Sequence, residues 1–204
     1  MTLSVPELYL MRHGQSEWNR LGRHQGRLES PLSELGRTQA AAMGQALAAD
    51  LAGRGGAFSA ICSPQVRAAE TARIALAPIG VTARPDPRLV ELDMGAWQGL
   101  TDAEIFARWP DCRARREADP FGWHFTSPGG ERFDAICARI EGVLTDLAGP
   151  AIIVAHGIAL LVLRGLVLGL DRGAMADLPR GQGVVWHIRD RIHRTLPAAR
   201  HGSA

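Results

Sequence analysis

Two short runs constrain this chain more than any other feature. LYLM at Leu8–Met11 and AIIVA at Ala151–Ala155 carry no charge and no alternation, and each leads into a histidine followed by glycine: His13-Gly14, after Arg12, and His156-Gly157. A strand that is apolar on both faces must be covered on both, which is the position of a central strand in a parallel sheet. Helical patterns lie between such runs. Ser33 is placed to cap a helix over about Glu34 to Leu51, on which Leu35, Met43, Ala46, Leu47 and Leu51 recur at helical spacing before Gly53. AFSAICSP reads as a strand, and the helix after it, over about Gln65 to Ala77, is stopped by Pro78 and Gly80. TDAE at Thr101–Glu104 is a capping box that opens a short helix ended by Pro110. Phe133, Ile136, Ile140, Val143, Leu144 and Leu147 form the stripe of an amphipathic helix, and a helix over about Ile158 to Leu168 follows AIIVA. VVWHIRDRIHRTL suggests a terminal hairpin or a pair of short strands, and AARHGSA a loose tail. The alternation predicts one three-layer α/β/α domain over residues 1–204 with a mostly parallel central sheet. Ligands of such sheets gather beyond the carboxyl ends of the strands, where His13 and His156 would both sit.

Composition narrows the functional classes. Lys+Arg 23 against Asp+Glu 21 leaves a formal charge of +2, too little to suggest a nucleic-acid or membrane-surface partner. Every basic side chain is arginine, so a phosphate site here would have to be built from guanidinium forks. Cys62, Cys112 and Cys137 are odd in number and widely spaced, which fits reduced thiols in a cytoplasm. No signal peptide is expected at the N-terminus. The apolar stretch AIIVAHGIALLVLRGLVLGL is interrupted by His156, Gly157 and Arg164, so it reads as a buried strand and helix, not a membrane span.

Two strand-His-Gly units at one sheet edge point to a site more than either would alone. A further Arg-His-Gly at Arg200–Gly202 follows no strand and is read as coincidence. In order along the chain stand LMRHGQSEWN, GRHQGRLESPLSELGRTQA, ICSPQVRAAETA, LVELDMGAWQG and IVAHG. Together these resemble the motifs of the histidine phosphatase superfamily, which includes cofactor-dependent phosphoglycerate mutase. The resemblance runs from about Leu8 to Leu170. It implies a phosphoglycerate mutase-like fold and a phosphoric monoester hydrolase of the histidine acid phosphatase type.

The roles follow from that resemblance. His13 would be the nucleophile that forms a phosphohistidine, with Arg12, Arg67 and His156 cradling the phosphoryl oxygens. Surrounding arginines should favour the neutral, nucleophilic form of His13. Glu91 would exchange the proton with the leaving group and then with water, and Asp93 is its nearest competitor. Asn19 and Ser16 could touch phosphate or could be turn-formers, and Gly14 is expected to let backbone approach the phosphate. Trp18, Trp97, Trp109 and Trp123 are expected in the core or a lid. His24, His187 and His193 show no metal-ligand spacing, so no metal and no cofactor are expected. A mutase would carry an asparagine-lysine pair after GAWQGL, where Thr101 and Asp102 stand. The segment between Glu91 and His156, with WP, DPFGW and SPGGERF, instead resembles α-ribazole phosphatase and broad-specificity phosphatases. It departs from the usual GES at Gly130-Glu131-Arg132. A cap at about residues 100–130 is expected over a pocket for a small phosphorylated metabolite, with Arg113, Arg115, Arg116, Trp123 and His124 available to the leaving group. A mutase and a non-catalytic phosphate-binding module remain the alternatives, and a homodimer is left open.

Overall fold

The computed structural model describes residues 5–54 and 56–197; the Arg200–Gly202 repeat and the tail lie outside them. Strand β1 (Leu8–Arg12) is followed by a single turn α1 (Glu17–Arg20), the long helix α2 (Glu34–Leu51), β2 (Ser59–Cys62), α3 (Val66–Leu76) and the two-residue β3 (Arg84–Pro85). Then come α4 (Asp102–Arg108), α5 (Cys112–Ala118), α6 (Phe133–Thr145), β4 (Ala151–Ala155), α7 (Gly157–Leu168), α8 (Arg172–Ala176), β5 (Val184–Arg189) and β6 (Ile192–Pro197). The sheet order is β3-β2-β4-β1-β5-β6. The first four of these are mutually parallel, and β5 and β6 are antiparallel additions at one edge.

Alternation along the strands feeds two cores. Leu8 and Leu10 of β1, with Ala151 and Ile153 of β4, pack against α6, α7 and the segment from Leu89 to Phe125. Tyr9 and Met11, with Ile152 and Val154, pack against α2 and α3. All five residues of β4 are buried, as a strand between two others and two helical layers must be. The terminal hairpin turns through Asp190 and Arg191, both at positive φ (52° and 62°), the backbone of a two-residue primed turn. Among the described residues no helix is long and apolar enough to cross a membrane.

Helix starts match local chemistry. Ser33 caps α2 by accepting from Gly36 N, and Thr101 and Glu104 form the reciprocal capping box of α4. The buried face of α2 differs from the predicted stripe: Leu35 is 52% exposed, while Gly36, Ala40, Met43, Gly44 and Leu47 face inward. The reason is close packing. A Cβ on Gly36 would fall 2.0 Å from Gln15 O, and one on Gly14 would fall 2.1 Å from Gly36 O. The first turn of α2 therefore lies directly on the backbone that follows His13.

Residues 101–126 join the core formed by α6 and α7, through Ile105, Cys112, Phe121, Trp123 and Phe125. Trp123 stacks on Trp97 at 4.4 Å, and both rings are fully buried. Arg116 lies over Trp123 and pairs with Asp102, while Arg113 covers Phe106.

Candidate active site

The central parallel strands deliver their following residues to one edge. The ladder continues past β1 through His13 N to Ala155 O (2.9 Å) and past β2 through Ser63 N to Val154 O (2.9 Å). His13, Ser63 and His156 thus meet beyond three adjacent strands. Arg67, fully buried, comes from the first turn of α3, and its Nη1 and Nη2 donate to Leu28 O and Gly26 O, both at 2.8 Å.

Glu91 lies in the loop that follows a 3-10 turn at Pro87–Leu89. Its backbone N donates to Gln65 Oε1 at 2.8 Å. Its carboxylate accepts from Leu92 N (2.9 Å) and from Ile158 N and Ala159 N of α7 (both 3.1 Å). His156, the N-cap of α7, makes no side-chain cap, so Glu91 satisfies the otherwise unpaired amides of that helix start.

His13 is 2% exposed. Its Nδ1 lies 2.7 Å from Gly14 O, and a carbonyl can only accept, so Nδ1 carries the proton and Nε2 keeps its lone pair. Burial, then the Arg12 and Arg67 charges, hold the imidazole well below its ordinary pKa, against the opposing bond to Gly14. The His156 ring lies 5.1 Å away, and its Nε2 is 2.7 Å from Ser63 Oγ. Ser63 Oγ accepts from Gln65 N and keeps both a proton and a second lone pair for His156 Nε2; when the hydroxyl donates, the ring proton sits on Nδ1 and faces a ligand. Burial and then the charges of its neighbours keep His156 neutral as well.

Three buried nitrogens in this cluster have no partner among the described residues: the donors Arg12 Nε and Arg67 Nε, and His156 Nδ1. Each such orphan is worth about 1–3 kcal/mol of lost stability, so their convergence beside His13 marks a place made for an acceptor-rich group. Arg12, His13, Arg67 and Glu91 line one cavity of about 220 Å³. Asn19 lines it too, with Oδ1 accepting from Ser16 N (3.2 Å) and Gln182 Nε2 (3.1 Å).

Other predicted residues stand elsewhere. Ser16 is fully buried as the N-cap of α1, with its hydroxyl against Asn19 and Gln25, and does not line the cavity. Asp93 accepts from Gly95 N and lies outside the cavity lining, which separates it from Glu91. Gly14 packs against Gly36, where a Cβ would clash, and its N donates to Thr71 Oγ1. Of the residues offered to the leaving group, His124 lines the cavity, Trp123 packs against His124 at 5.1 Å between ring centres, and Arg116 lies over Trp123. Glu131 is bound to Arg139 through both carboxylate oxygens, so the departure at Gly130-Glu131-Arg132 ends in an ion pair.

Ser63, Gln65, Arg164, Arg180 and Gln182 were not singled out from sequence as site residues. Gln182 Nε2 also donates to His13 O at 3.2 Å. The sequence signal for Ser63 was its place after a strand, the same signal that marked the histidines. Among the described residues no group of three or more His, Cys, Asp or Glu side chains is placed to hold a metal ion.

Comparison with known proteins follows the same lines. The profile of the histidine phosphatase superfamily (branch 1) matches residues 8–191. The bifunctional protein Rv2228c of Mycobacterium tuberculosis is 40% identical over 134 residues, 66% of this chain but 35% of that protein, so the chain spans about a third of its length. Glucosyl-3-phosphoglycerate phosphatase of Mycobacterium tuberculosis is 37% identical over 164 residues, covering 74% of this chain and 70% of that protein. The structure of mycobacterial glucosyl-3-phosphoglycerate phosphatase in complex with VO3 superposes with a TM-score of 0.77 at 31% identity, over 96% of this chain and 100% of that one. A candidate α-ribazole-5′-P phosphatase from Escherichia coli K-12 superposes with a TM-score of 0.76 over 96% of this chain and 97% of that one, and at 22% identity it shows the fold alone.

Proposed function

Since the chain belongs to branch 1 of the histidine phosphatase superfamily, we propose that it is a metal-independent phosphomonoester hydrolase that works through a phosphohistidine on His13. The observation that carries this reading is the neutral His13 ring, its proton held on Nδ1 by Gly14 O, beside the unpartnered side-chain nitrogens of Arg12, Arg67 and His156.

In the first step the Nε2 lone pair attacks phosphorus in line with the ester oxygen. The N–P bond forms, the P–O bond breaks, and the leaving oxygen takes a proton from Glu91. Arg12, Arg67 and His156 donate to the equatorial oxygens, where the charge of a loose phosphoryl transition state resides. In the second step Glu91 takes a proton from water as its oxygen attacks phosphorus, the N–P bond breaks, and inorganic phosphate leaves with His13 neutral again. Asn19, fixed through Oδ1, offers its remaining Nδ2 donors at the wall. The small cavity supports a small phosphorylated metabolite as substrate, with residues 101–126 acting as its cap. The two mycobacterial phosphatase likenesses support hydrolysis over transfer.

The test is phosphate release from a panel of phosphomonoesters in chelator, together with rapid quenching of the enzyme on labelled substrate. Chelator-resistant release and an acid-labile phosphoenzyme, both lost in His13→Ala, are expected. Release by His13→Ala at the parent rate, or parent activity abolished by chelator, overturns the reading.

A further inference from the structure

The cavity does not stop at the phosphoryl cluster. Ile158, Leu161 and Arg164 of α7 line it in succession, so it runs along one face of that helix from the end held by Glu91 to Arg164, about 9 Å further along the axis. Met94, Leu161 and Trp186 supply apolar surface to its wall.

Arg164 is anomalous in this setting. It is 1% exposed inside the helix GIALLVLRGLVL. Its guanidinium stacks over Trp186 at 4.4 Å, and Nη1 donates to Pro179 O at 2.8 Å. Nε and Nη2, the edge of the fork that matches two oxygens of one acid, are buried with no partner among the described residues. Burial, then the charge of Arg180, pushes its pKa down to about 10. Arg180 lines the cavity from the exposed loop between α8 and β5, and its charge is felt at Arg12 as well as at Arg164. Arg23 and His24, also in the lining, have carboxylate partners in Glu104 and Asp102. Among the described residues no ion pair engages Arg164 or Arg180.

A single phosphoryl group at His13 leaves this second pair of cations unanswered. We propose that Arg164 and Arg180 form a second anion subsite, and that the substrate is a small phosphorylated acid whose leaving group carries a carboxylate to it. The proposal rests on the hydrolase reading above. It adds that the alcohol released is itself an acid. A second phosphate offers the same pair of oxygens, and the experiment separates the two.

The full chain is assayed on three-carbon probes that share a primary phosphate: 3-phosphoglycerate, glycerol 3-phosphate and 1,3-propanediol bisphosphate. The parent is expected to favour 3-phosphoglycerate over glycerol 3-phosphate by about 10-fold or more in kcat/KM, the scale of one charge-assisted contact. Arg180→Gln, at the exposed mouth, and Arg164→Lys, which keeps charge but loses the fork, are each expected to bring that ratio to within about threefold of one. A parent ratio near one, or variants that keep the parent ratio, overturns the subsite. A bisphosphate preferred to 3-phosphoglycerate overturns the carboxylate assignment. If none of the three releases phosphate, the hydrolase reading is decided on the wider panel above, and the subsite is read from ligand-induced shifts in melting temperature. A larger shift with 3-phosphoglycerate than with glycerol 3-phosphate, lost in Arg180→Gln, supports it, and equal shifts overturn it.

Discussion

Acid should unfold this protein through imidazoles it holds neutral, and His124 allows the size to be worked out. Its Nδ1 is buried without a partner among the described residues. Burial first, then the charges of His24, Arg180 and Arg116, push its pKa down to about 3, with Asp102 opposing. An unfolded chain holds histidine near 6.5. Between those values the unfolded state binds a proton that the folded state refuses, so stability falls as pH falls and is fully present above about 6.5. At pH 5 the unfolded histidine lies 1.5 units below its pKa, and 1.36 kcal/mol per unit gives a loss of about 2 kcal/mol relative to pH 7. The assay is urea unfolding of the parent and His124→Asn at pH 7 and pH 5, with free energies extrapolated to water. The variant is expected to lose about 2 kcal/mol less than the parent between the two pH values, whatever its stability at pH 7. Equal losses in both proteins would refute the reasoning. His13 and His156, held neutral by burial and nearby arginines, act in the same direction and make the parent's total loss larger.

Four further outcomes are expected. Glu91→Gln should lower kcat/KM, which reports phosphoryl transfer to His13, by about 10²–10⁴ on alkyl phosphates, the usual worth of a positioned acid-base group, but far less on p-nitrophenyl phosphate, whose leaving oxygen needs no proton; equal losses on both would remove Glu91 from protonation of the leaving group. Gly36→Ala would place a Cβ 2.0 Å from Gln15 O, so a lower melting temperature is expected, equivalent to at least about 1–3 kcal/mol, with activity falling through the displaced His13 loop; an unchanged melting curve speaks against the close contact. Gln182→Ala removes donors to His13 O and Asn19 Oδ1 and should reduce kcat/KM by about 5- to 150-fold, from roughly 0.5–1.5 kcal/mol for each of the two bonds, when measured on the best panel substrate. Arg191→Gly relieves a non-glycine residue at φ 62°, and calorimetry should show the melting temperature rise by an amount equivalent to about 1 kcal/mol.

What was legible in sequence was what is decided locally. Ser33 and the Thr101 capping box announce helix starts within four residues, and the unbroken apolar runs of β1 and β4 announce buried strands. The single turn α1, the two-residue β3, the short α8 and the arginine-rich α5 carry too little periodicity to be seen, and they form because the surrounding fold holds them. The order of strands was not legible, because β4 pairs with β1 and β2 across most of the chain. The same division runs through the site. His13, His156, Arg12, Arg67 and Glu91 were named from strand ends and motif resemblance, and all stand at one sheet edge, with Arg12, His13, Arg67 and Glu91 in the cavity wall. Leu35 misled because a stripe of large side chains was sought where glycines make the contact. In the sequence Arg164 stands as a break in an apolar run. A lone cation inside a buried helix was itself the signal.

The central place of β4 sets a condition on how the protein can be made. Leu8 pairs with Ala151, and Ser59 pairs with the same residue from the other side. A ribosome adding about 5–20 residues per second exposes β1 and β2 well before the strand that joins them. Until then both strands present open edges, which are templates for pairing with other chains. Neither Ser63 nor His13 has the β4 carbonyl that positions its backbone. The proposed phosphate cradle therefore closes in one event, when residues 151–155 fill the slot and bring His156 with them. Chains released before that point should neither bind phosphate nor stay dispersed. Arrival of β4 and closure of the proposed site are thus joined by the topology of a single strand.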